Sequence, residues 1–71
     1  MADIVSPLPG LVATIHVSAG DTVSEGDPVV TLQSMKMEIP VEAEFAGSVQ
    51  KVNVEVGGFV NEGDTLVTLG E

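Results

Sequence analysis

Residues 10–32, GLVATIHVSAGDTVSEGDPVVTL, return 37 positions later as residues 47–69, GSVQKVNVEVGGFVNEGDTLVTL, with 11 identities in 23 ungapped positions. Gly10 matches Gly47, Val12 matches Val49, and Val23 matches Val60. Glu25-Gly26-Asp27 matches Glu62-Gly63-Asp64, and Val30-Thr31-Leu32 matches Val67-Thr68-Leu69. Two copies are too few to stack as a solenoid. They predict instead a quasi-two-fold pair of layers, with the intervening segment 33–38 as the joint between halves.

Each copy is punctuated for strands. Short runs rich in Val, Ile and Thr alternate with Gly, Asp, Asn and Pro, and no stretch carries apolar residues at helical spacing between caps. Strands are expected near Asp3–Ser6, Leu11–Val17, Thr22–Val23, Val29–Gln33, Met37–Pro40, Gly47–Val54, Phe59–Val60 and Thr65–Leu69. Turns are expected at Ala19-Gly20-Asp21, Glu25-Gly26-Asp27, Val56-Gly57-Gly58 and Glu62-Gly63-Asp64. Ile15, Val17 and Ala19 alternate in the first copy, and Val52, Val54 and Val56 in the second. Val12 and Val49 stand three residues before Ile15 and Val52, which breaks parity in both copies. A bulge there would return them to the inner face. The expected architecture is all-β: a flattened barrel-sandwich of two four-stranded antiparallel sheets with quasi-two-fold symmetry.

Seventy-one residues permit one domain, 1–71, around a small core. Cysteine is absent, so no disulfide supports that core, and the composition suits a reducing compartment. Nothing at the start signals secretion, and no apolar run reaches membrane-spanning length. A cytoplasmic location is the expectation. The formal charge is −9, from 11 acids against two lysines. Phosphate backbones and anionic membrane surfaces would be repelled, so neither nucleic acid nor direct membrane contact is expected. Two phenylalanines are the only aromatic residues, which leaves no stacking platform for bases.

The joint carries the chemistry. Ser34-Met35-Lys36-Met37-Glu38 contains one of only two cationic side chains in the chain, the other being Lys51. A two-residue hairpin loop at this place would need positive φ, for which Gly, Asn and Asp are preferred. Met and Lys would violate that preference, and such violations gather at functional sites. A longer, relaxed loop with an ordinary exposed lysine is the alternative reading of the geometry.

Met35-Lys36-Met37 at a hairpin between two Gly-Asp-turn halves resembles the biotinyl domains of biotin-dependent carboxylases and decarboxylases. The likeness extends to Ser6-Pro7-Leu8-Pro9-Gly10, Ala46-Gly47 and Val60-Asn61-Glu62-Gly63-Asp64, and so covers nearly the whole chain. The resemblance implies that Lys36 carries covalent biotin, and that Met35 and Met37 serve recognition by biotin protein ligase. It further implies a carboxyl carrier, not itself an enzyme, whose partners are a biotin carboxylase and a carboxyltransferase or decarboxylase. In the related lipoyl domains the lysine usually follows Asp and precedes Ala. A lipoyl-type acyl carrier and an unmodified structural barrel-sandwich module are therefore the alternatives opposed by the two methionines. Gln33 and Ser34 depart from the family's usual Glu and Ala or Val. The inserted thumb of some relatives is missing, since Val12–Val17 runs straight into Ser18-Ala19-Gly20. A free lysine amine has a pKa of about 10.4. Little of it is nucleophilic near neutrality, so activation would have to come from the ligase.

The remaining polar residues read as structure. His16 stands out of phase with Ile15 and Val17, which places it in solvent, and no partners at ligand spacing accompany it. Asp21, Asp27 and Asp64 sit where Asp bonds its own turn backbone. The repeat places Glu25 and Glu62 in equivalent turns, so neither suggests an acid pair. Lys51 is expected on a strand surface, and Phe45 and Phe59 in the core or at an edge. No nucleophile–base set, phosphate loop or zinc signature is present.

Overall fold

The computed structural model describes residues 2–70, so both end residues of the expected 1–71 unit lie outside the described residues. Eight strands follow in order: β1 (Ala2–Val5), β2 (Gly10–Ile15), β3 (Thr22–Val23), β4 (Pro28–Ser34), β5 (Met37–Glu42), β6 (Gly47–Val52), β7 (Phe59–Val60) and β8 (Thr65–Gly70). Among the described residues there is no helix. One sheet has the order β1-β8-β6-β3 and the other β5-β4-β2-β7. All pairings are antiparallel. Exchanging β1 with β5, β2 with β6, β3 with β7 and β4 with β8 turns one order into the other. The 37-residue offset is therefore a spatial two-fold, and it reaches back to β1 and β5, beyond the segments that match in sequence.

Parity fails where expected. The β2/β4 register shifts between Val12 and Thr14, and the β6/β8 register shifts between Val49 and Lys51. Each bulge frees a backbone that the other half then uses. Gly20 N donates to Val49 O at 2.8 Å, and Val49 N donates to Asp21 O at 2.7 Å. Gly57 N donates to Val12 O and Val12 N to Gly58 O, both at 2.8 Å. The halves are thus interlocked, each turn capping the other half's bulge.

Burial follows the same symmetry. Six pairs of buried apolar residues are related by the offset: Ile4/Val41, Val12/Val49, Val23/Val60, Val29/Leu66, Val30/Val67 and Leu32/Leu69. The seventh pair is Ser6/Ala43. Ser6 is buried, and its hydroxyl donates to the carbonyl of Leu8, so no polar atom is stranded there. Strands β2 and β6 stop two residues earlier than the alternation predicts. Ile15, Val17, Val52 and Val54 remain half-buried against the core, whereas Ala19 and Val56 are exposed because the chain has already turned. Strand β5 instead runs through Pro40 to Glu42, which an edge strand tolerates because a proline there need not donate to a neighbouring strand.

Four tight turns share one design. Gly20, Gly26, Gly57 and Gly63 have φ between 90° and 98°, the third position of a type II turn. In three of them the next residue is Asp, whose Oδ2 accepts the N–H three residues back: Asp21 from Ser18 at 2.8 Å, Asp27 from Ser24 at 2.9 Å and Asp64 from Asn61 at 2.8 Å. The fourth has Gly58 in place of Asp. It keeps the backbone bond, Gly58 N to Glu55 O at 3.0 Å, and lacks the carboxylate. Gly58→Asp should restore the missing acceptor and reduce the freedom of the unfolded chain. A gain of about 0.5–1 kcal/mol is expected, read as a raised thermal midpoint. A Cβ here stands 3.1 Å from Glu55 O, an approach that the loop turn can relieve by a small shift. An unchanged or lower midpoint would show that this crowding, with repulsion from the Glu55 carboxylate, outweighs the new bond.

Candidate functional site

Strands β4 and β5 pair at six positions, from Pro28↔Glu42 to Ser34↔Met37, leaving Met35 and Lys36 alone in the loop. Met35 has φ 49° and Lys36 has φ 69°, so both are left-handed, as a type I′ turn requires. The longer, relaxed loop is ruled out. For residues other than glycine this backbone costs about 1–2 kcal/mol per residue. The ladder behind the turn holds it closed, and the left-handed pair matches the right-handed twist of the strands.

This turn gives Lys36 a fixed base and a free arm. A two-residue loop has no slack, so the Cα is positioned by the sheet while the four-carbon stem and amine project beyond it. Lys36 is exposed. Met35 is 92% and Met37 63% exposed, so the turn presents two thioethers beside one amine. Neither methionine contributes to the core. Met35→Asn should therefore relax the turn, because Asn accepts the left-handed region. Its thermal midpoint is expected to rise by about 4–8 °C, corresponding to about 1 kcal/mol in a domain of this size. A lower midpoint would show that Met35 stabilises the turn.

The other residues fall outside this apex. Lys51 is exposed on β6, in the opposite sheet. His16 is exposed, yet its Nε2 lies 2.7 Å from Thr31 Oγ1, and the offset-related Asn53 donates Nδ2–H to Thr68 Oγ1 at 3.0 Å. These are equivalent cross-strand clasps, a role hidden in sequence because His and Asn look unrelated. Phe45 and Phe59 are not core residues: they are 45% and 62% exposed. Phe59 precedes inward Val60 and so must face outward.

The site is thus an exposed lysine at the two-residue apex of an all-β pair of interlocked sheets. The chain belongs to the biotin/lipoyl family: the family model described as "Biotin-requiring enzyme" matches residues 2–69. It is similar to the biotin carboxyl carrier protein of Streptococcus mutans, with 46% identity over 44 residues, spanning 62% of this chain and 34% of that protein. Among solved structures, the Kluyveromyces lactis urea carboxylase superposes with a TM-score of 0.90 at 29% identity, covering 97% of this chain and 6% of that one. The lipoyl domain of the 2-oxoglutarate dehydrogenase complex from Azotobacter vinelandii superposes with a TM-score of 0.78 at 29% identity, covering 97% and 95%. The chain thus spans about a third of that carrier protein and a small part of the carboxylase. Fold alone does not separate biotin from lipoate, whereas the family and the carrier-protein relative place this chain as a biotinyl domain with biotin as its covalent group.

Proposed function

We propose that Lys36 is the biotin attachment residue, that biotin protein ligase reads Met35 and Met37 beside it, and that residues 1–71 act as one carrier domain. The carrier would serve a biotin carboxylase and a carboxyltransferase or decarboxylase in the cytoplasm. One observation carries this reading: the exposed amine stands at the apex of a left-handed two-residue turn between two exposed methionines. The chain's other lysine lies on a strand face.

In the ligation step, Lys36 Nζ attacks the acyl carbon of an activated biotin. The new bond is the Nζ–carbonyl amide, the acyl–phosphate bond breaks, AMP departs, and the amine proton passes to the ligase. The domain's contribution is access. Biotin, once attached, supplies a ureido ring that takes up a carboxyl group at one site and yields it at another. The rigid turn fixes where the arm begins, and the arm raises the effective concentration of the group at both sites.

Incubation with biotin ligase, ATP and biotin tests this, read by intact mass beside a parallel reaction with a lipoyl ligase and lipoate. A single biotinoyl adduct is the expected result. Lipoylation without biotinylation would overturn the reading, as would no adduct in either reaction.

A further inference from the structure

The two-fold symmetry provides an internal control for which surface residues the fold requires. Next to the rung that carries the turn, Ser34↔Met37, lies a row across all four strands of the same sheet: Glu38, Gln33, Leu11 and Phe59. All four are exposed; Gly10, Val12, Leu32 and Val60 beside Leu11, Gln33 and Phe59 are buried, and Ile39 beside Glu38 is half-buried, so the row faces away from the core. Leu11 is 46% and Phe59 62% exposed. At the offset-related place on the other sheet, the paired residues are Ser48 and Thr22, also exposed. Pairing of the two-residue strand β3 with β6 thus proceeds with two small hydroxyl residues. The fold does not need an apolar pair where β7 meets β2, and this solvent-facing pair, one and two strands across from the β4 strand that leads into the turn, is an exposed apolar feature without a core packing role.

Resting on the assignment of Lys36 above, we propose that Leu11 and Phe59 form the docking contact for the biotin ligase, whose complementary surface is an apolar pocket rimmed by cationic side chains. Two arguments select this occupant. The first is reach. To acylate Nζ, an enzyme must bring its acyl carbon within one lysine side chain of the turn, and so close against the rungs beneath it. A carboxylase meets the same arm after biotin has lengthened it and can act farther from the sheet. The second is charge. The strands of this sheet contain no Lys or Arg, Glu38 lies in the row itself, Glu42 ends the same edge strand, and the chain carries a formal −9. A basic rim complements that face and steers the encounter. Phenylalanine is among the residues enriched at protein interfaces, and Leu11 pairs with it across the strands.

The fold supplies the substitutions for the test. Leu11→Ser with Phe59→Thr installs the residues already present at the equivalent pair. Initial biotinylation rates are measured by intact mass over a range of acceptor-domain concentrations, for the parent, the double variant and each single variant. The double variant should raise KM for the domain about tenfold, the size of one modest hot spot, with kcat and thermal midpoint near the parent's. The parent's KM should rise with added salt. An unchanged KM in a folded variant overturns the proposal. So does normal ligation with slowed carboxylation of the biotinylated domain, which would assign the pair to the carboxylase. A parent that takes up no biotin defeats the Lys36 assignment instead, and the two failures are distinct. Should the double variant melt early, the single variants decide on the same criteria.

Discussion

Lys36→Arg should take up no biotin at all, while its melting curve stays that of the parent. Arginine keeps the charge and most of the stem, and like lysine it carries a Cβ, so the left-handed backbone at φ 69° is no more strained than before. An exposed side chain without a core contact is worth no more than about 0.5 kcal/mol either way. What changes is the nucleophile: a guanidinium stays protonated at neutral pH and its electron pair is delocalised. Lys51→Arg is the matching control, because Lys51 is exposed on β6 in the opposite sheet, and it should acquire biotin at the parental rate. Intact mass of the three proteins after the same ligase reaction decides the matter. A persistent adduct in Lys36→Arg, or one lost in Lys51→Arg, would move the attachment point away from the turn.

Much of this architecture was legible because the chain states its plan twice. The ungapped offset implied two equivalent layers, and a parity break shared by Val12 and Val49 implied two equivalent bulges; both are present. The turn was legible as a conflict. Methionine and lysine do not choose positive φ, so a two-residue loop there demanded a reason beyond local preference. Identity between copies, however, reports only what both halves share. The reach of the symmetry into β1 and β5 was hidden because Ile4 corresponds to Val41, and Ser6 to Ala43, without an identical residue to mark them. The clasp between His16 and Thr31 was hidden for the same reason. Leu11 and Phe59 were legible only as differences, at positions where the second and first copies carry Ser48 and Thr22. Phe59 was expected in the core or at an edge; it stands on the edge strand β7, and next to inward Val60 the strand period left it no inward direction.

Gly10→Val and Gly47→Val should both damage the fold, and only the first should also damage the site. Neither glycine is needed for its φ; both are needed for clearance. A Cβ on Gly10 would stand 3.0 Å from Gln33 O and 3.6 Å from Ser34 Cβ. On Gly47 it would stand 3.0 Å from Gly70 O, with Leu69 Cβ and Cδ1 at 3.5 and 3.7 Å. The obstructing atoms are backbone oxygens of neighbouring strands, so relief requires the sheet itself to shift, and the γ-methyls of valine crowd it further. Overpacking of this kind costs about 1–3 kcal/mol. Small domains hold only about 5–15 kcal/mol in total, and this one has a short core and no disulfide. At about 4–8 °C per kcal/mol, the midpoint should fall by several degrees or more. The sites differ in what lies behind them. Strain at Gly47 is passed to β8 and Leu69 in the core, in the sheet opposite the one that carries the turn. Strain at Gly10 is passed to Gln33 and Ser34, the last residues of β4 before Met35 and Lys36. Biotin uptake, corrected for the folded fraction, should therefore survive in Gly47→Val and fall in Gly10→Val, with alanine at either position giving a milder version of the same pattern. Midpoints equal to the parent's would show that the strands separate without resistance, and equal uptake by the two folded variants would show that the turn is insulated from the rung beneath it.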